Sequence, residues 1–467
     1  MKKTFSLLGL SVMMTLSAQN ISEQLAKATQ QLLSQPKMYA AQLSFYVADD
    51  AGNFIYEYQG NKGLSTASTQ KLFTAAAALE LLGKDYRYQT TMAYDGNLRD
   101  GVLHGNLYLR SNGDPTLGSW RYEGFQPQDF LSKMSQALAH QGIQSIEGDL
   151  IIDDCFFDFQ TIPGGWSWND LGNYYGAGVW GVNWRENQFD LHIQGGSQAG
   201  KPTQFKGFSY PLVGVSWVNE TTSGSPKSGD QSYIYTAPHS PVAYINGSLP
   251  AGKTTTVSGA VPNPPLQLGT EILKTLQSAH ISFSGQLKTT SQQRIQQQVV
   301  ASFPEASIFF TYNSPPLEKI VYWFLRKSVN LYGETLVKTI GMQQNHRSDF
   351  GSSVALLQDF WKNKGIRTAM INFADGSGLS PQNYASARAE VQALVWSKKQ
   401  AWFPTFYEAL PIYNGMKMKS GTIKSTKAYA GYHTSKSGKH YIFSIIVNNY
   451  EGSSINAELF KVLDVLK

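Results

Sequence analysis

Residues 68–83 read Ser-Thr-Gln-Lys-Leu-Phe-Thr-Ala-Ala-Ala-Ala-Leu-Glu-Leu-Leu-Gly. From Lys71 to Leu82 almost every residue is a good helix former, and Gly83 supplies the stop. The segment is apolar nearly all round, which predicts a helix buried on every side. Ser68 and Lys71 stand three apart at its start, a spacing that places both side chains on one face. A serine hydroxyl is a poor nucleophile at neutral pH and needs an adjacent base. Lysine can be that base only where burial or a nearby cation lowers its proton affinity. Leu72, Phe73 and Ala75 to Ala77 favour such desolvation. The helix N-terminus adds free N–H groups and positive potential near Ser68, useful to a developing oxyanion.

Outward from this helix, Ala41 to Asp49 and Phe54 to Gly60 are alternating, aromatic-rich runs joined by the turn residues Asp50-Ala51-Gly52-Asn53, a β-hairpin. Ser22 to Gln35 reads as a polar-faced helix. From about Tyr86 to Val299 short strand-like runs alternate with Gly, Asn, Asp and Pro turns, with Gln128 to Gln141 and Leu268 to Ala279 as the best helices. After Val299 helical spacing returns at Leu317 to Arg326, Asn330 to Gln343, Ser352 to Lys364 and Ala387 to Lys398. Lys417 to Lys424, Lys427 to Thr434 and Lys439 to Asn449 read as strands, with Ser435 to Gly438 as the turn of a second hairpin and Ser454 to Leu466 as a closing helix. The pattern predicts an α/β (α+β) catalytic domain, an antiparallel sheet flanked by helices, built from residues 19–85 and 300–467. A β-rich insertion, of one or more domains, occupies 86–299.

The 467 residues are 42% hydrophobic and only 15% charged, which excludes a disordered chain. Its 42 Gly and 19 Pro exclude a long coiled coil. A net charge of +6 without a Lys/Arg-rich block gives no support to a nucleic-acid partner. The single cysteine, Cys155, can form no intramolecular disulfide and reads as a small buried hydrophobe. The eight His show no H-E-x-x-H, there is no G-x-S-x-G elbow, and no metal or cofactor is called for. Lys2 and Lys3, an apolar run from Phe5 to Leu16 and the small exit residues Ser17 and Ala18 read as a secretory signal peptide over residues 1–18. The mature protein is therefore expected in the periplasm.

Two further motifs complete a reaction centre. Ser328-Val329-Asn330 opens a helix, where Ser328 could relay a proton and Asn330 could hold a substrate carbonyl and Lys71. Lys419-Ser420-Gly421-Thr422 begins a strand. There Gly421 would admit a substrate backbone. Lys419 supplies positive charge, and the Ser420 and Thr422 hydroxyls could hold a carboxylate. The N–H groups of Ser68 and Thr422 would form the oxyanion hole. Ser34-Gln35-Pro36-Lys37 repeats the first spacing but contains Pro and precedes no buried helix. Lys227-Ser228-Gly229 and Lys436-Ser437-Gly438 repeat the third motif in a loop and in a hairpin turn. Only the set Ser68, Ser328, Lys419 falls in order on suitable elements, the order of the penicillin-recognising serine enzymes.

On these motifs, and on Ser111 to Leu117, Gly148 to Asp154, Asn313 to Leu317 and Asp375 to Ser380, the chain resembles the D-alanyl-D-alanine carboxypeptidase/endopeptidases of the class C low-molecular-mass penicillin-binding proteins, peptidase family S13. The resemblance implies acyl transfer on peptidoglycan stem peptides and cross-links through Ser68, with Lys71 as base and acylation by β-lactam antibiotics. It also places Asp153 and Phe157 near the substrate's third-residue side chain. Val329 stands where the family often has Asp, Ser420 where Thr is commoner, and Pro381 where some members carry an Arg. Two other readings stand beside this one. A β-lactamase would deacylate fast, but no E-x-x-x-N lies between Asn330 and Lys419. A non-catalytic cell-wall-binding protein would have lost Ser68 or Lys71, and both are present.

Overall fold

The computed structural model describes residues 21–467, so the expected leader lies outside the described residues. The chain divides into two compact units: one from residues up to Lys84 with Val321–Val329 and Ser353–Lys467, the other from Asp85–Ile320 with Asn330–Ser352.

The first unit is built on a six-stranded, wholly antiparallel sheet. Its strands are β1 (Gln42–Asp49), β2 (Phe54–Tyr58), β3 (Ile412–Tyr413), β4 (Met416–Ile423), β5 (Thr426–Thr434) and β6 (His440–Asn448), in the order β2-β1-β6-β5-β4-β3. The first hairpin closes as its turn chemistry requires: Asp49 Oδ1 accepts the N–H groups of Ala51 and Asn53 at 2.9 and 2.8 Å. Joining β1 to β6 unites the two ends of the chain, Phe45 opposite Ile445 and Val47 opposite Phe443. Leu25 and Leu32 of helix α1 (residues 21–33) share a buried cluster with Phe45, Val47, Phe443 and Ile445, and with Leu459 and Val462 from the C-terminal helix Asn456–Leu463. Each such side chain contributes about 1.5–3 kcal/mol of apolar burial.

Helix α2 (Lys71–Leu82) is buried from Lys71 through Leu79, as its all-round apolar surface demands, and ends at Gly83 with φ +82°. Its Phe73 ring meets Trp361 edge-on at 5.3 Å and Phe373 at 5.1 Å. Helix α3 (Leu317–Lys327), helix α4 (Phe350–Asn363) and helix α5 (Ala387–Lys398) follow in the chain. Helix α5 lies against β1, β5, β6 and α2.

The second unit is β-rich. A five-stranded mixed sheet runs Leu287–Thr289, Leu150–Asp153, Leu107–Ser111, Gln89–Tyr94, Ile308–Asn313, and three smaller sheets accompany it. Helices Pro127–His140 and Pro264–Ser278 pack Phe130, Leu138, Leu268 and Ile272 into its core. Two boundaries differ from the sequence reading. Ile308–Asn313 pairs with Gln89–Tyr94, so this unit continues past residue 300. Helix Asn330–Asn345 also belongs to it: Tyr332 Oη donates to Glu186 at 2.7 Å, and the Thr339 and Tyr88 hydroxyls lie 2.9 Å apart. Helical periodicity reports an apolar face but not the body that buries it. Cys155 is only half-buried, with its thiol pKa raised by burial. Among the described residues no helix is long and apolar enough to cross a membrane.

Candidate active site

Ser68 stands one step outside the helix proper, in a 3-10 turn (Ala67–Gln70) that feeds directly into α2. Ala67 enters that turn at φ +45°, a left-handed conformation costing a non-glycine residue about 1–3 kcal/mol. The turn and the first helical residue together bring Lys71 Nζ to 2.9 Å from Ser68 Oγ. Lys71 is fully buried, and its Nζ also donates to the Ser377 carbonyl at 2.7 Å and sits 5.8 Å from the centre of the Phe324 ring. The hydroxyl and the amine are therefore within proton-transfer reach.

The loop Asp375–Ser380 cradles this turn. Asp375, fully buried, accepts from Gly378 N at 2.7 Å, Asn383 Nδ2 at 2.8 Å and Ser380 N at 2.7 Å. The loop thus fixed presents the Gly376 carbonyl to Thr74 Oγ1 at 2.7 Å and the Ser377 carbonyl to Lys71. Gly378, at φ +82°, passes so close that a Cβ there would stand 1.9 Å from the Ala67 carbonyl oxygen.

Strand β4 carries the third motif to the same place. Lys419, Ser420 and Gly421 pair with Ala430, Tyr429 and Ala428 of β5. A Cβ on Gly421 would stand 2.1 Å from the Thr66 carbonyl oxygen and 3.1 Å from the Ser68 nitrogen, so this glycine is required for close approach. Lys419 is 1% exposed and donates to its neighbour's carbonyl, Ser420 O, at 2.7 Å. Burial, and secondarily the charges of Lys71 and Lys427, hold Lys419 well below the usual lysine range. Lys427 Nζ donates to Thr422 Oγ1 at 2.7 Å and is also lowered by burial. The partners of Lys419 and Lys427 are thus a carbonyl and a hydroxyl, neither of them a carboxylate. Repulsion between Lys71 and Lys419 is mutual and favours one proton over two.

The remaining sequence-predicted residues stand as follows. Ser328, half-buried, lies one residue beyond α3 at φ +59°, four residues after the Phe324 that faces Lys71. Asn330, buried, opens its helix in the second unit and donates Nδ2 to the Tyr175 carbonyl at 2.8 Å. Asp153, 7% exposed, accepts from Arg110 Nε at 2.7 Å in the second unit. Phe157, buried in the same unit, covers Gly113, where a Cβ would strike its ring at 2.4 Å. The sequence reading passed over Glu390, which is fully buried and accepts from Thr69 Oγ1, next to Ser68, at 2.6 Å. It also gave Asp375 and Ser377 no role in the site. A lone Glu in a helix carries no local signal, whereas the two glycines of Asp375-Gly376-Ser377-Gly378 are a signal from which a tight loop could have been read.

Comparison with known proteins identifies the family. Residues 25–466 match the model of the D-Ala-D-Ala carboxypeptidase 3 (S13) family. A D-alanyl-D-alanine carboxypeptidase of Actinomadura sp. (strain R39) is 27% identical over 451 residues, covering 90% of this chain and 80% of the relative. The D-alanyl-D-alanine carboxypeptidase DacB of Haemophilus influenzae is 25% identical over 431 residues, covering 86% and 84%. The crystal structure of penicillin binding protein 4 from Haemophilus influenzae superposes with a TM-score of 0.78 at 22% identity, covering 94% of this chain and 97% of that one, which establishes a shared fold. Matched by that family over residues 25–466, and carrying Lys71 beside Ser68 with a Lys-Ser-Gly strand against the same turn, this chain belongs to the S13 family of serine D-Ala-D-Ala peptidases.

Proposed function

We propose that Ser68 is the nucleophile that opens the D-Ala–D-Ala bond of peptidoglycan stem peptides and the related bond of their cross-links. Neutral Lys71 takes the Ser68 proton as Oγ attacks the carbonyl carbon. The N–H groups of Ser68 and Thr422 receive the developing oxyanion. Ser328 relays that proton from Lys71 to the departing amine, so the C–N bond breaks as D-Ala or the cross-linking strand leaves. Water then cleaves the acyl-enzyme and returns the proton to Ser68. Lys419, with the Ser420 and Thr422 hydroxyls, holds the terminal carboxylate, while Asn330 positions the peptide carbonyl. Asp153 and Phe157 flank the third-residue side chain. A β-lactam acylates Ser68 by the same route and leaves slowly. The reading includes export to the periplasm by the leader over residues 1–18.

The observation that carries this reading is the 2.9 Å separation of Lys71 Nζ and Ser68 Oγ at a site where Lys419 is also buried. The test is labelling with a fluorescent penicillin, alongside digestion of purified sacculi with analysis of the released peptides. Ser68→Ala should lose both activities and keep its fold; labelling retained by that variant would refute the assignment.

A further inference from the structure

Glu390 is fully buried on α5 and has no part in the reaction as written above. Each of its oxygens is held by one hydroxyl: Thr69 Oγ1 donates to Oε1 and Ser444 Oγ donates to Oε2, both at 2.6 Å. These lengths belong to hydroxyl-to-carboxylate hydrogen bonds, about 2.5–2.7 Å. Thr69 follows the nucleophile in its turn, and Ser444 sits in β6, so the carboxylate ties that turn to the sheet. Thr69 Oγ1 also lies 3.0 Å from the Thr66 carbonyl oxygen. A threonine hydroxyl has one proton and can serve only one of these acceptors at a time. With Glu390 ionised, that proton goes to Oε1. With Oε1 protonated, the acid donates to Thr69 Oγ1, and the threonine proton turns to the Thr66 carbonyl. That carbonyl is the atom on which Gly421 closes.

We propose that Glu390 is a positioning residue: its carboxylate, acting through Thr69, holds the Ser68 turn in its reactive geometry against Gly421, and its protonation redirects Thr69 to Thr66 and slows acylation. The proposal rests on Ser68 being the nucleophile. The short contacts to both carboxylate oxygens occur in the same arrangement as the close Ser68–Lys71 pair, and with Glu390 ionised both hydroxyls donate to it. Burial lifts Glu390 to about 7, opposed by its bonds to Ser444 and Thr69, so the exchange falls near neutral pH. No charged group on the elements around α5 reaches it. On α2, Lys71 is directed to Ser68 and Ser377, and Glu80 accepts from Trp402. On β1, Asp49 caps its own turn; on β5, Lys427 serves Thr422; on β6, His440 meets Thr434. Burial, and secondarily Lys467, lower the pKa of His433 on β5. On α5 itself, Arg388 lies over Tyr46 and Lys398 pairs with Asp50.

The test is the rate of acylation by a fluorescent penicillin from pH 5.5 to 8.5 for wild type, Glu390→Gln and Thr69→Val, with thermal unfolding as the fold control. Glutamine matches glutamate in size but cannot ionise, and valine cuts the link at the hydroxyl. A group titrating near 7 lowers the wild-type rate roughly tenfold between pH 8 and pH 6. Both folded variants should lack that step, and Thr69→Val should be slower than wild type at pH 8. A pH profile of either folded variant that superimposes on wild type overturns the proposal. If Ser68→Ala abolishes labelling while those profiles superimpose, the role of Glu390 alone is refuted; if Ser68→Ala still labels, the nucleophile assignment has failed first.

Discussion

Gly421 lies against Thr66 so closely that the smallest side chain on one would stand 2.1 Å from the carbonyl oxygen of the other. The third motif therefore meets the first backbone to backbone, and the glycine fixes how near β4 comes to the Ser68 turn. Its φ is not in the left-handed region, so the requirement is for space alone.

Gly421→Ala should force these segments apart. Overpacking of this kind costs about 1–3 kcal/mol in stability. The expected outcome is a folded protein with a lowered melting temperature and acylation reduced about 100-fold or more, since a misplaced oxyanion donor alone costs about that factor. Stopped-flow acylation and calorimetry on the same sample check it, and near-normal acylation would remove Gly421 from the site.

Lys71→Ala removes the amine beside Ser68 and empties a fully buried position. Loss of a general base should slow acylation about 100- to 10,000-fold. The variant should stay folded, because α2 keeps its apolar contacts through Phe73 with Trp361 and Phe373. Acylation close to wild type would exclude Lys71 as the base.

Lys419 makes stability depend on pH in a definite direction. In the unfolded chain it titrates at about 10.4, whereas in the folded protein burial and its lysine neighbours keep it well below that value. Between the two values the unfolded chain binds the extra proton, so stability rises with pH across this window and falls as pH drops. Lys419→Met should flatten that slope below about pH 10 while weakening binding of peptides with a free terminal carboxylate. Melting temperatures measured from pH 7 to 10 for both proteins decide it; parallel curves would contradict the lowered proton affinity of Lys419.

Asp375→Ala strips the acceptor from Gly378 N, Ser380 N and Asn383 Nδ2. Leaving buried donors unpaired costs about 1–3 kcal/mol each, so a loss of several kcal/mol is expected in urea unfolding. The Ser377 carbonyl should lose its fixed position and acylation should fall with it. An unchanged unfolding midpoint would show that the loop does not depend on Asp375.

Local chemistry made much of the first unit legible. The turns at Asp50 to Asn53 and Ser435 to Gly438, the apolar run after Lys71 and the Gly83 stop all act over a few residues, and the structure follows them closely. The Ser68–Lys71 pair could be read because one helical turn sets its spacing. What escaped were partners joined by tertiary contact. Glu390 meets Thr69 across 321 positions of sequence and Asp375 meets Gln70 across 305, and neither acid stands out among its neighbours. The end of the β-rich unit escaped for the same reason: the pairing of Ile308–Asn313 is decided by Gln89–Tyr94, far upstream.

Ser328 and Asn330, two positions apart in one motif, fall in different compact units. Cutting out Asp85–Ile320 to obtain a minimal peptidase would strip the helix that Asn330 begins of Tyr88, Tyr175 and Glu186, the groups that fasten it. The β-rich unit therefore holds in place the helix that begins with one of the proposed site residues.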